Sequence, residues 1–251
     1  MIDAGTILII GASSGLGKGV AKSFAALGWK VGVCARREHA LKQLVDEFPE
    51  NITMRTLDVT ANDAVSTFNS FVDQLGGIDV VLYAAGCGWN NPLLDVDKDE
   101  RTVNTNVVGF TRIINAAFDW FAAHPAPSGS KGQICAITSI AGTKGIGISP
   151  TYSATKRYQC TYLESIAQLA CIRHIPVSIT DIRPGFIDTD LLDTSAHSYP
   201  MLMKVDYAVK RIVRAILRRR KLVYIDWRWA SVVAAWRIIP RWLWIRLKIN
   251  I

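Results

Sequence analysis

Short, nearly unbroken apolar runs alternate along the chain with longer segments in which apolar residues recur every three or four positions. The runs are TILII (6–10), KVGVCA (30–35), ITMRTL (52–57), IDVVLYA (78–84), GQICAITS (132–139), PVSITDI (176–182) and LVYI (222–225). They are strand-length and rich in Val and Ile, as strands buried on both faces are. The periodic segments predict helices near 15–27, 37–48, 61–75, 99–123 and 206–218, with one more carrying YSATK at 152–156. Six or seven strand–helix units predict an α/β fold, a doubly wound parallel sheet in a single domain. No linker rich in Pro, Gly or Ser marks a second domain. The pattern gives one domain over 1–226 and a tail over 227–251.

Composition narrows the class. Half of the 251 residues are apolar, which excludes a disordered chain. The five cysteines (Cys34, Cys87, Cys135, Cys160, Cys171) are scattered, with no CxxC pair, and the four histidines show no ligand spacing. That argues for a reducing compartment and against a metal site. The N-terminus runs straight into GTILIIGASSG with no basic leader, so a cytoplasmic location is expected. The net charge of +8 is uneven: thirteen basic and two acidic residues follow from Lys204 onward, and the body before it is slightly acidic.

The first run ends in GASSGLGKG, which places Gly11, Gly15 and Gly17 before a helix. Glycines there let the backbone turn tightly and approach a pyrophosphate that rests on the helix N-terminal N–H groups. A phosphate-binding nucleotidase loop is excluded, because position 19 is Gly where Ser or Thr is needed and position 12 is not Gly. A dinucleotide site also needs a group for the adenosine ribose near the end of the second strand. An acid there would bind the 2′-hydroxyl of NAD; the chain has Arg36 and Arg37, whose guanidinium donors suit the 2′-phosphate of NADP. NADP is therefore the expected cofactor, ahead of NAD.

Tyr152 and Lys156 stand four apart on one helix face, with Ser139 upstream at a strand end, NTNVVG (104–109) further upstream, and RPGFIDT (183–189) downstream. GASSGLG, Asn106 in NxxG, Ser139, Tyr152-x-x-x-Lys156 and Pro184-Gly185 occur in the order and rough spacing of the short-chain dehydrogenase/reductase family, which the chain resembles over about residues 5–190. The resemblance implies a single Rossmann-type catalytic domain and hydride transfer between NAD(P) and a carbonyl or alcohol. It implies Tyr152 as general acid/base, Ser139 as hydrogen-bond partner of the substrate oxygen, and Asn106 holding a water that relays protons to Lys156. It further implies cofactor contacts from Gly11, Ser13, Ser14, Gly15, Leu16 and Gly17, from Asp58 and Val59 at the adenine, and from Ala85 and Gly86. Tyr152, Lys156, Pro184, Gly185 and Thr189 complete that set at the nicotinamide side. An unperturbed phenol titrates near pKa 10, and a lysine cation one helical turn away is expected to lower that value. The chain departs from the family at Ile10, where Thr is usual, and at YAAG (83–86), where both asparagines of NNAG are replaced.

Substrate walls are expected from the loops at 86–92, 142–150 and 186–201, with Trp89, Ile146, Ile148 and Phe186 forming an apolar surface. No arginine cluster suits a phosphorylated substrate, so a small, rather apolar carbonyl compound is expected. The tail holds five of the eight tryptophans and no acid after Asp226. Its longest charge-free run, 229–236, is far too short for the roughly 20 apolar residues of a spanning helix, and Pro240 divides it into two short helices. Trp and Arg mixed with Leu and Ile suit a protein interface, a flap over the cleft, or a helix lying in a membrane surface, and not nucleic acid. A homodimer or homotetramer is expected. The rival to an enzyme is a catalytically degenerate family member that senses NADP or mediates interactions.

Overall fold

A computed structural model of the chain describes residues 4–190, 192 and 198–248. Among these residues seven parallel strands form one sheet: β1 (Thr6–Ile10), β2 (Lys30–Ala35), β3 (Ile52–Thr56), β4 (Val80–Tyr83), β5 (Gly132–Ile137), β6 (Val177–Pro184) and β7 (Leu222–Ile225). Their order is β3-β2-β1-β4-β5-β6-β7, so the winding reverses between β1 and β4. In such sheets a crevice opens outside the carboxyl ends of the strands at that reversal. The register sets Ile10 opposite Cys34 and Tyr83, so the glycine turn emerges between the ends of β2 and β4.

Side-chain alternation explains the two covered faces. Ile7 and Ile9 of β1 pack with Phe24 of α1 (Gly15–Ala26), Leu41 of α2 (Glu38–Glu47) and Ile212 of α7 (Val205–Leu217). Leu8 and Ile10 point the other way, to Phe71 of α3 (Ala64–Gln74), Phe110 of α5 (Phe110–Ala123) and Leu163 of α6 (Pro150–Ile172). Both sets are fully apolar, which is why the strand sequences read as continuous hydrophobic runs.

The helix expected near 99–123 is different in detail. It starts earlier, as α4 (Val96–Val103), because the Asp95 side chain caps the Lys98 N–H, and it passes through a π-helical turn (Asn104–Gly109) before α5. A wider turn takes carbonyls out of the regular ladder, and distant side chains satisfy them. Tyr83 Oη donates to the Thr105 carbonyl at 3.0 Å, and Gln159 Nε2 donates to the Asn106 carbonyl at 2.9 Å. Tyr83, at one of the positions that lacks the family's asparagine, thus ties β4 to this turn. The helix expected from 61 begins at Ala64, since Asp58 Oδ1 accepts from the Thr60 N–H and holds residues 58–61 in a turn. The tail forms two helices, α8 (Trp227–Ile238) and α9 (Arg241–Trp244).

Candidate functional site

The crevice floor is the turn between β1 and α1. Gly11 has φ of 94° and Gly15 has φ of 53°, left-handed values that glycine adopts without strain. A Cβ at Gly11 would also collide with the Ala85 backbone, so the turn lies directly against the loop after β4. Ser14 stands at the N-cap of α1, whose first turn carries no acid, and the N-terminal amides keep their attraction for an anion. Arg37 folds across this turn, donating to Ser13 Oγ (3.0 Å) and Ser14 Oγ (2.7 Å), with Arg36 exposed beside it at the end of β2. Thr189 comes to the same place, its methyl 3.3 Å from where a Gly15 Cβ would stand. This donor set fits a dinucleotide pyrophosphate and an additional phosphate. Asp58 lies at the end of β3 with Oδ1 committed to Thr60, and the Val59 side chain is buried in the core.

The reactive groups gather where β4 and β5 end. Ser139 follows β5 and opens a short 3₁₀ turn (Ile140–Thr143), its Oγ accepting from the Ala141 N–H. Arg157 holds that turn by donating to the Gly142 and Thr143 carbonyls. Tyr152 and Lys156 project from the first turns of α6, which Pro150 initiates at a position that needs no N–H partner. The Tyr152 ring lies so close to Gly88 that a Cβ there would overlap it, so the loop after β4 forms one wall of the tyrosine's slot. Lys156 is buried, with Nζ donating to the Ile137 carbonyl (3.1 Å) and Gln159 Oε1 (3.0 Å) and standing 5.7 Å from the Tyr152 ring centroid. Asn106 Oδ1 accepts from the Cys87 N–H, and its Nδ2 donates to the Cys87 carbonyl and to Thr155 Oγ1.

One expectation is overturned. The Tyr152 phenol is not lowered on balance: burial pushes it up to about 12, against the pull of a hydrogen bond with Ser139. Burial likewise brings the Lys156 ammonium down to about 8. Burial outweighs their proximity, and the ammonium is turned to carbonyl oxygens.

The expected substrate walls are linked to one another. Asn91 N–H donates to the Ile148 carbonyl and Ser149 Oγ to Asn90 Oδ1, which joins the loops after β4 and β5. Trp89 is exposed, and Ile146, Ile148 and Phe186 are half-buried. Residues 191 and 193–197 of the expected 186–201 wall lie outside the described residues. Where the tail docks was not readable from its residues; it packs on the loops after β5 and β6. Trp229 packs edge-on to Phe186 (5.4 Å), then Trp236 (6.5 Å) and Trp244 (5.4 Å) continue the aromatic row. Lys144 Nζ donates to the Ile239 carbonyl and Trp244 Nε1 to the Gly145 carbonyl, both at 2.7 Å. The signal for this inner face is the i, i+4, i+7 spacing of Trp229, Val233 and Trp236. Among the described residues no cluster of three potential metal ligands occurs.

Known proteins share this fold. The profile of the family described as short chain dehydrogenase matches residues 5–199. An uncharacterized oxidoreductase of Mycobacterium tuberculosis is 35% identical over 247 residues, covering 93% of each chain. A short chain dehydrogenase from Burkholderia cenocepacia, solved with NADP, superposes over all of both chains with a TM-score of 0.82 at 19% identity. A 3-ketoacyl-(acyl-carrier-protein) reductase from Brucella melitensis, solved with NADH, gives 0.78 at 21% identity, covering 90% of this chain and 98% of its own. With strand order, glycine turn and match in agreement, the chain belongs to the short-chain dehydrogenase/reductase family and is an oxidoreductase of the nucleotide-binding Rossmann type.

Proposed function

We propose that the protein is an NADP(H)-dependent reductase of a small, rather apolar carbonyl compound, with Tyr152 as its proton donor. The observation that carries this reading is the placement of Tyr152 beside Ser139 at the end of β5, with Lys156 one helical turn away. Bound NADPH supplies the hydride that the carbonyl carbon accepts. As negative charge grows on the carbonyl oxygen, the Ser139 hydroxyl stabilises it and the Tyr152 hydroxyl passes its proton to it. The Lys156 ammonium then stabilises the phenolate left behind. A phenol near 12 holds its proton at neutral pH and a lysine near 8 is still mostly charged there, so Tyr152 stands ready as the donor. Ser13, Ser14, Gly15, Leu16 and Gly17 would hold the pyrophosphate. Arg36 and Arg37 would take the 2′-phosphate.

Titration of the protein with NADPH and NADH, followed by tryptophan fluorescence, tests the cofactor. Charge-assisted bonds from one or two guanidinium groups favour NADPH by roughly tenfold or more. Arg36→Ser combined with Arg37→Ser is expected to erase most of that preference and leave NADH binding nearly unchanged. Equal affinities in the unsubstituted protein would show that the arginines are surface groups.

The outward side of the tail supports a location as well. Among the described residues no helix is long and apolar enough to cross a membrane. Yet Trp227, Ile238, Trp242 and Ile245 are between 60% and 82% exposed, with Arg237, Arg241 and Arg246 among them and no acid. We propose that this face rests on an anionic membrane. Deleting the tail is a poor test, because Trp229 and Val233 belong to the core. Trp242→Ser with Ile245→Ser removes only exposed groups, and is expected to abolish co-sedimentation with vesicles that contain phosphatidylserine. Sedimentation that persists in the double variant, or is equal on neutral vesicles, defeats the idea.

A further inference from the structure

A third polar group shares the face of α6 that carries Tyr152 and Lys156. Gln159 follows them at i+7, and it is 1% exposed. Both ends of its carboxamide are engaged: Oε1 accepts from Lys156 Nζ at 3.0 Å, and Nε2 donates to the Asn106 carbonyl at 2.9 Å. That orientation is forced, since an ammonium only donates and a carbonyl only accepts. The Asn106 carbonyl is open to this contact because it lies in the π-helical turn between α4 and α5. The side chain of Asn106 is committed to Cys87 and Thr155. The link between Asn106 and Lys156, for which the family resemblance implied a water, is therefore spanned by a side chain.

We propose that Gln159 is a positioning residue that fixes the Lys156 ammonium beside Tyr152 and ties it to the π-helical turn. The inference rests on Tyr152 and Lys156 being the proton-transfer pair. A buried ammonium without an opposite charge tends to lose its proton, and acceptors aimed at its charged form oppose that loss. Lys156 has two such acceptors, the Ile137 carbonyl and Gln159 Oε1. The titratable groups that face it are Tyr152 and Cys160 from α6, Cys87 from the loop after β4 and Asp181 from β6. None of these is altered by a substitution at 159. A carboxamide holds the ammonium but passes no proton onward, so Tyr152 would regain its proton from the cleft.

The test is a titration of Lys156 by NMR in protein carrying ¹³C at the lysine ε-carbons, with Lys156→Met used only to assign the resonance. Gln159→Leu removes an acceptor from the charged form and is expected to lower the midpoint by about one pH unit. Gln159→Glu keeps the shape and adds a negative charge, and should raise the midpoint by about as much. A glutamine that merely fills space would lower the urea midpoint of the Leu variant and leave the Lys156 titration where it was. A midpoint unmoved by either variant, or moved the same way by both, overturns the proposal. The titration needs no substrate. If Tyr152→Phe retained full turnover while these midpoints moved apart, the catalytic reading would fail and the hold of Gln159 on Lys156 would stand.

Discussion

Tyr152→Phe is expected to lower kcat for NADPH-linked reduction of apolar ketones and aldehydes by about 10²- to 10⁴-fold, the usual contribution of a positioned proton donor. The variant should fold and bind NADPH as before. Its ring keeps the contact with Gly88, and Lys156 keeps its bonds to Ile137 and Gln159, because neither involves the phenolic oxygen. What disappears is the hydroxyl that hydrogen-bonds Ser139 and, in the proposed mechanism, protonates the substrate oxygen. KM should change little, since the hydroxyl matters most when charge has developed on the substrate oxygen. Turnover within threefold of the unsubstituted protein would mean that the proton comes from elsewhere. The same variant separates the enzyme from a cofactor-binding protein without catalysis, because only the former has activity to lose.

The parts of this site that were readable in the sequence are those fixed by local spacing. Apolar runs of strand length marked all seven strands, because both faces of the sheet are covered and most strand residues are apolar. The i, i+4 spacing of Tyr152 and Lys156 put both on one helical face whatever surrounded them. The glycine turn announced itself because glycine takes the left-handed angles at positions 11 and 15 without strain. What stayed hidden depends on partners far along the chain. The π-helical turn is held by Tyr83 and Gln159, which lie 22 and 53 residues from the carbonyls they satisfy. Nothing local in NTNVVG signals that interruption. Proximity also misled on Tyr152: the sequence shows that a lysine is near but not how far the fold buries each group, and burial is the larger effect.

Trp229→Ala is expected to destabilise the protein by about 3 kcal/mol, at the low end of the range for truncating a buried tryptophan or phenylalanine. Two effects of opposite sign meet at this residue. Trp229 is 2% exposed and contacts Phe186 and Trp236, so removing the indole opens a cavity between α8 and the loop after β6. Its Nε1, however, is buried with no hydrogen-bond partner among the described residues, a state that costs about 1–3 kcal/mol and is relieved by the same truncation. For Ala the lost packing outweighs that relief. For Trp229→Phe the balance changes: most of the ring volume stays and the unpaired N–H goes, so the loss should be below about 1 kcal/mol. Urea unfolding of the two variants measures both. An Ala variant as stable as the Phe variant would show that α8 is not docked on the domain in solution. If α8 is docked, its removal should also be felt at the site, because the Trp229 indole lies against Gly185 so closely that even a Cβ there would overlap it. Gly185 begins the loop that brings Thr189 over the glycine turn, so a loosened Trp229 should weaken NADPH binding even though it lies in the tail.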